Sequence, residues 1–175
     1  MGRLVDDLLL LARLDEGRAS PGAQQGSGDL AAVADRVVER LGRQHGGEVR
    51  VTREGGPVAP VRAGDDVLER VVVNLVENAV RYARSRVTVA VGPAGGDAVL
   101  TVTDDGPGVP AADRDRVFER FTRLDGARSR DEGGSGLGLA IVRELVLAHG
   151  GDVRLEDAAP GLRAVVRLPA PPGPE

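Results

Sequence analysis

Two asparagines one helical turn apart, Asn74 and Asn78, stand inside the apolar run "VVVNLVENAVRYA" that begins at Val71. Asparagine is a mediocre helix former, so a purely structural helix has no use for two of them. At about 100° per residue, Asn74, Asn78 and Arg81 fall in one narrow stripe, with Arg70 and Glu77 close to it. Val71, Val72, Leu75, Val76 and Ala79 cover the opposite side. One face therefore reads as core, and the other presents two carboxamides and a guanidinium. An ordinary solvated face is the simpler explanation, but such faces are normally built from good helix formers. Paired carboxamides offer neutral oxygen donors, which is what a hydrated Mg2+ bridging nucleotide phosphates requires.

Three further stretches carry residue types with chemical use. In "DDGPGVP", Asp104 to Pro110, Asp104 ends an alternating strand on the same face as Leu100 and Val102. A carboxylate there can accept a hydrogen bond from an exocyclic amine such as that of adenine. Gly106 and Gly108 are expected to let the backbone approach a planar base; a plain Asp-Gly turn is the competing reading. In "GGSGLGLAIVREL", Gly133 to Leu145, Gly134, Gly136 and Gly138 have the spacing of a dinucleotide fingerprint. The context does not fit, because "RSRDE" and not a strand precedes them. What remains is a glycine-rich loop opening a helix, whose free amides and dipole attract phosphate. In "RVFERFTRLD", Phe118 and Phe121 are three apart and are expected to anchor a short helix around Val117 to Phe121. Arg120 and Arg123, also three apart, could reach phosphate oxygens.

The elements that must position these residues follow from periodicity. Leu4 to Leu14 reads as a helix with near-heptad leucines. It either folds back on its own domain or is the end of a helix bundle, and the second reading is favoured. Glu16 to Gly28 is Gly-, Ser- and Gln-rich and reads as a linker. A helix over about Leu30 to Gln44 follows, with Asp29 as N-cap, and Glu48 to Arg53 alternates as a strand. Asp65 or Asp66 opens the asparagine helix, which ends near Ala83. Arg86 to Val91 and Ala98 to Asp104 are strands joined through Gly95-Gly96, hence an antiparallel pair. Asp105 to Ser135 is a long loop, the length of a lid. Leu137 to Ala148 is a helix closed by Gly150 and Gly151. Strands over Asp152 to Glu156 and Leu162 to Leu168 complete the order. Helices and antiparallel strands without regular alternation imply an α+β fold, a two-layer sandwich in which three helices cover one face of a mixed, mostly antiparallel sheet.

Composition bounds the function. Of 175 residues 41% are apolar, enough for one packed domain, and aromatics are only 2%, so the core must be aliphatic. The net charge of −4 provides no basic footprint for nucleic acid. The absence of cysteine excludes disulfides and thiolate metal sites. No apolar run is long enough to span a bilayer.

The order and spacing of the motifs resemble one family: the catalytic, ATP-binding domain of two-component sensor histidine kinases, in the GHKL ATPase superfamily. "NLVENAVRYA" resembles its N box, "DDGPG" its G1 box, "VFERFTRLD" its F box and "GGSGLGLAIVRELVLAHGG" its G2 box. "RLVDDLLLLARLDEG" resembles the end of the second dimerisation helix. The resemblance implies ATP and Mg2+ as cofactors. It assigns Asn78 to the metal, Asn74 to its companion position near the phosphates, and Asp104 to the adenine. Tyr82 would pack beside the base, and Gly106 and Gly108 would shape the pocket. Gly134, Gly136, Leu137 and Gly138 would border the phosphates, and Arg120 and Arg123 would act as lid arginines. Arg81 stands where the family usually has a phosphate-contacting lysine, and Thr122 where it often has an aromatic. The implied division is 1–17 end of the dimerisation helix, 18–28 linker, 29–169 catalytic domain with a lid over about 105–135, and 170–175 a Pro-rich tail.

The implied partners are the protein's own dimerisation and phosphoacceptor domain, a response regulator and a second copy, with no nucleic acid. Membrane attachment would come only through segments N-terminal to this chain, leaving this domain cytoplasmic. The acceptor histidine is expected outside the chain, because His45 and His149 are each followed by glycine, whereas the family's acceptor is followed by an acidic residue. Other superfamily members, such as anti-sigma serine kinases or gyrase-like and chaperone-like ATPases, are the alternative, as is a nucleotide-binding module without activity. Those ATPases carry a glutamate at the position of Asn74 to activate water, a role Asn74 cannot serve.

Overall fold

The computed structural model describes residues 2–15, 26–45, 48–122 and 135–172. Its helices are α1 (Gly2–Asp15), α2 (Leu30–His45), α3 (Asp65–Tyr82) and α4 (Gly138–Ala148). Its strands are β1 (Gly28–Asp29), β2 (Arg50–Gly55), β3 (Pro60–Val61), β4 (Arg86–Ala94), β5 (Asp97–Asp104), β6 (Asp152–Asp157) and β7 (Leu162–Pro169). Five strands form one sheet in the order β2-β4-β5-β7-β6. β2 runs parallel to β4, and the other three pairings are antiparallel. Helices α2, α3 and α4 pack on one face, giving the expected α+β sandwich.

Alternation sets which residues face the helices. Along β5, Ala98, Leu100, Val102 and Asp104 are buried, and the residues between them are half-exposed on the other face. The Gly95-Gly96 turn joins β4 to β5 with both glycines at positive φ, 63° and 90°, the conformation that a two-residue hairpin turn demands. Asp29 caps α2 as expected: its Oδ1 accepts from the amides of Ala31 (2.9 Å) and Ala32 (3.4 Å). The same oxygen accepts from Ala59 N at 2.9 Å, so the cap also fixes the segment leading to β3. α4 ends in a Schellman motif, with Gly151 N donating to Val146 O (2.9 Å) and Gly150 N to Leu147 O (3.0 Å).

Two expectations change. Gly28, placed in the linker, pairs with Val61 in the short β1–β3 ladder. A Cβ on it would lie 2.7 Å from Ala63 O, so close chain packing requires glycine there. The helix expected over Val117 to Phe121 is instead two single 3-10 turns, Ala111–Asp113 and Arg116–Phe118. Phe118 is buried beneath the Arg143 guanidinium, 5.6 Å from its ring centroid, but Phe121 is 61% exposed and does not anchor the segment. One side of α1 contacts the domain: Leu11 is buried in the core, and Asp7 pairs with Arg70 of α3 at 2.7 Å. Its other side, Leu4, Val5, Leu8 and Leu9, is exposed. Residues 16–25 of the expected linker and 173–175 of the tail lie outside the described residues. Among the described residues no helix is long and apolar enough to cross a membrane.

Candidate functional site

The end of β5, the middle of α3 and the first turn of α4 converge on one hollow. It is lined by Leu75, Asn78 and Ala79 of α3, Val102 and Asp104 of β5, Leu139 of α4, Leu155 of β6, and Leu162 and Ala164 of β7. The walls stand nearly closed on one another, enclosing only about 10 Å3, the room of a single water molecule. The walls are aliphatic, and Asp104 and Asn78 are the two strongly polar groups in them. This is the composition of a site that holds a flat apolar body and reads it at one edge.

Asp104 is 6% exposed. Its Oδ1 accepts from Gly106 N at 2.8 Å and from Leu162 N at 3.4 Å, and among the described residues no hydrogen bond engages Oδ2. Burial pushes its carboxyl above its ordinary pKa; the two amides oppose that shift, and the neighbouring Asp105 charge adds to it. One oxygen is thus fixed by the backbone, and the other is left for a donor in the hollow.

The adjacent carboxylate has a different task. Asp105 turns away from the hollow and accepts on Oδ1 from three successive amides, Arg84 (2.8 Å), Ser85 (3.1 Å) and Arg86 (3.2 Å). Its Oδ2 accepts from Ser85 Oγ at 2.6 Å. The Ser85 hydroxyl, with these amides, holds the Asp105 carboxyl far below the ordinary range. A depressed acid contributes stability that is complete above its unfolded pKa, about 4, and is lost as pH falls through the folded value. We therefore expect Asp105→Asn to flatten the acid limb of the Tm-against-pH curve below about pH 4, as read by circular dichroism. An unchanged limb would contradict the geometry.

The two asparagines of α3 face different spaces. Asn78 enters the hollow, whereas Asn74, 9% exposed, lies against the start of α4. A Cβ on Gly138 would stand 3.3 Å from Asn74 Oδ1, so the two motifs meet at this point. The other side of Asn74 borders a charged groove between α1, α2 and α3, with Asp6, Asp7, Asp66, Glu69, Arg40 and Arg70 in its walls. Asn74 thus departs from the open polar stripe read from helical spacing, because α1 and α4 cover that part of α3.

Packing within the chain by itself requires glycine at 106 and 108. A Cβ at Gly106 would sit 2.3 Å from Tyr82 O, and one at Gly108 2.9 Å from Gly161 O. Tyr82, half-buried, contributes this backbone contact and does not line the hollow. Gly136 has φ 71° and its carbonyl accepts from Phe121 N at 3.0 Å, which ties the residues before α4 to the segment after Phe118. Leu137 is fully buried and belongs to the core. Arg81 is exposed on the last turn of α3. Arg120 forks onto Asp15 of α1, with Nη2 to Oδ1 at 2.6 Å and Nη1 to Oδ2 at 2.8 Å, not into the hollow. Arg123 and Gly134 lie outside the described residues.

Sequence reasoning missed the far wall. Gly161, at φ 102°, would place a Cβ 1.8 Å from Asp104 O, and its neighbour Leu162 supplies one of the amides that orient Asp104. The local signal was a Pro160-Gly161 pair between two strands, which reads only as a turn.

Comparison with known proteins places this geometry in context. Residues 63–172 match the family model described as "Histidine kinase-, DNA gyrase B-, and HSP90-like ATPase". The sensor protein CutS of Streptomyces coelicolor is 42% identical over 156 residues, covering 86% of this chain and 36% of that protein. The solved structure of the mycobacterial sensor histidine kinase MprB superposes with a TM-score of 0.73 at 35% identity, covering 85% of this chain and 99% of that one. Full-length ShkA in complex with AMPPNP superposes with a TM-score of 0.82 at 28% identity, over 99% of this chain and 36% of that one. The chain therefore spans about a third of the length of the curated relatives it matches. With its hollow walled by the asparagine helix and the Asp104 strand end, and with these matches, the chain belongs to the histidine kinase-, DNA gyrase B- and HSP90-like ATPase family, as a catalytic domain of the sensor histidine kinase type.

Proposed function

We propose that this domain binds Mg-ATP in the hollow between α3, α4 and the sheet, and transfers the γ-phosphate to a histidine on a dimerisation helix outside this chain. One observation carries the reading: Asp104 and Asn78, remote in sequence, wall the same aliphatic hollow. The purine lies between the aliphatic walls and donates its exocyclic amine to Asp104 Oδ2. The phosphates run toward Asn74, Asn78 and the start of α4, where the helix dipole favours negative charge. Asn78 donates its carboxamide oxygen to Mg2+, which would neutralise phosphate charge during transfer. A neutral amide suits this better than a carboxylate, whose charge would repel the triphosphate.

The chain's own histidines fit the acceptor role poorly. His45 ends α2, and His149 caps α4 with Nδ1 2.7 Å from Leu145 O. The apolar side of α1 left exposed by Leu4, Val5, Leu8 and Leu9 continues the reading of residues 1–17 as the end of a dimerisation helix, with residues 29–169 as the catalytic domain. In this reading the whole protein is a homodimeric membrane sensor with this domain in the cytoplasm, and it signals to a response regulator.

The test is calorimetric. Asn78→Ala should weaken Mg-ATP binding about 10- to 100-fold, the size of a lost contact to a charged group. With Mg2+ chelated, wild type and variant should bind ATP alike. Equal affinities of the two proteins in Mg2+ would remove the metal role, and no heat from either would remove the nucleotide site.

A further inference from the structure

The nucleotide reading leaves a structural question unanswered: what holds the purine-reading carboxylate at a set distance from the metal helix? Asp104 is on β5 and Asn78 on α3, elements that are not consecutive in the chain. The β4–β5 ladder ends at the Val87–Asp104 pair. One residue further, backbone pairing is replaced by a side chain. Asp105 gathers the amides of residues 84, 85 and 86 on one oxygen and the Ser85 hydroxyl on the other. Arg84 and Ser85 form the turn that leaves α3, whose last helical position is Tyr82, and Arg86 opens β4. A second contact joins the same two segments, because glycine at 106 leaves room for Tyr82 O. The end of α3 and the end of β5 are therefore tied twice, next to the hollow but outside it.

We infer that Asp105, with Ser85 as its partner, is a positioning residue for purine selection: by clamping the α3–β4 turn to the end of β5 it aims the Asp104 carboxylate at the 6-position of the base. This rests on the proposed nucleotide site. Asp105 touches no ligand in this reading and acts only through Asp104. If the clamp is released, the end of β5 can shift relative to α3, and Asp104 Oδ2 no longer meets the 6-amino group at a fixed place. A selective contact depends on such placement more than generic stacking against aliphatic walls does.

The readout is a ratio of affinities. Mg-ATP and Mg-inosine triphosphate differ at the 6-position, where one carries an amine and the other a carbonyl. Both are titrated against the full 175-residue chain, its Asp105→Ala and Asp105→Asn variants and Ser85→Ala, well below each Tm. The unaltered chain should prefer ATP. Asp105→Ala should reduce that preference by about tenfold, and Ser85→Ala, which removes one of the hydrogen bonds, by about threefold. A purely structural clamp would lower Tm and leave the ratio unchanged, and an unchanged ratio in the folded variants overturns the inference. If Asp105→Ala does not fold, Asp105→Asn and Ser85→Ala decide on the same criterion. A chain that shows no preference for ATP overturns the nucleotide reading itself, and the inference with it.

Discussion

Asp104→Asn should abolish selective ATP binding without destabilising the protein. The geometry dictates both halves of this result. Asp104 Oδ1 is held by two backbone donors, Gly106 N and Leu162 N. In the variant the single amide oxygen must remain with those donors, because the alternative rotamer would set an NH2 group against two N–H groups. The NH2 group then occupies the position of Oδ2. It would face the amine of adenine, donor against donor, and leave both groups unsatisfied in a mostly apolar hollow. A loss of about 100-fold in ATP affinity is expected, with inosine triphosphate losing less because its 6-carbonyl can accept. Stability should move the other way. Burial raises the Asp104 pKa, so above the unfolded value of about 4 the ionised carboxylate is a cost to the fold that a neutral isostere removes. The Tm of Asp104→Asn at pH 7 should therefore equal or exceed that of wild type. A variant that loses binding together with several degrees of Tm would show that Asp104 holds the structure and does not read the ligand.

Gly161→Ala should be the most destabilising single methyl added to the described residues of the hollow. Two penalties coincide there. The backbone sits at φ 102°, which a Cβ tolerates poorly, and that Cβ would lie 1.8 Å from Asp104 O and 2.6 Å from its carbonyl carbon. Strain of about 1–2 kcal/mol adds to an overpacking cost of about 1–3 kcal/mol, because the obstruction is backbone and cannot rotate away. The sum corresponds to a Tm drop of roughly 5–20 °C for a chain of this size. Two companion variants separate the terms. Gly96→Ala carries positive φ, 90°, with nothing within 4 Å of the new methyl, so it reports strain alone. Gly92→Ala has neither penalty and should be close to neutral. If Gly161→Ala destabilised no more than Gly96→Ala, the close approach of the β6–β7 turn to the end of β5 would be wrong.

Much of this protein was legible before any coordinates. The 3.6-residue period of α3, the alternation of β5, the glycine turn between β4 and β5 and the caps at Asp29 and Gly150 are each written within a dozen residues. Each reflects forces between near neighbours: amphipathic burial, backbone hydrogen bonds and left-handed glycine conformations. The short β1–β3 ladder and the 3-10 turns are too brief to show a period, so the sequence reading placed Gly28 in a linker and gave Phe121 a burial it does not have. The site was legible as a set of residue types, but not as an arrangement. The two neighbouring aspartates look alike in sequence, yet Asp104 faces the hollow and Asp105 clamps a turn. Asn74 and Asn78 share a stripe on paper, yet α1 and α4 bury one and leave the other at the hollow. The donor that orients Asp104 from Leu162 is 58 positions away. Which of two similar groups is covered, and which faces a cavity, depends on how remote segments close on one another, and nothing local to α3 or β5 contains that information.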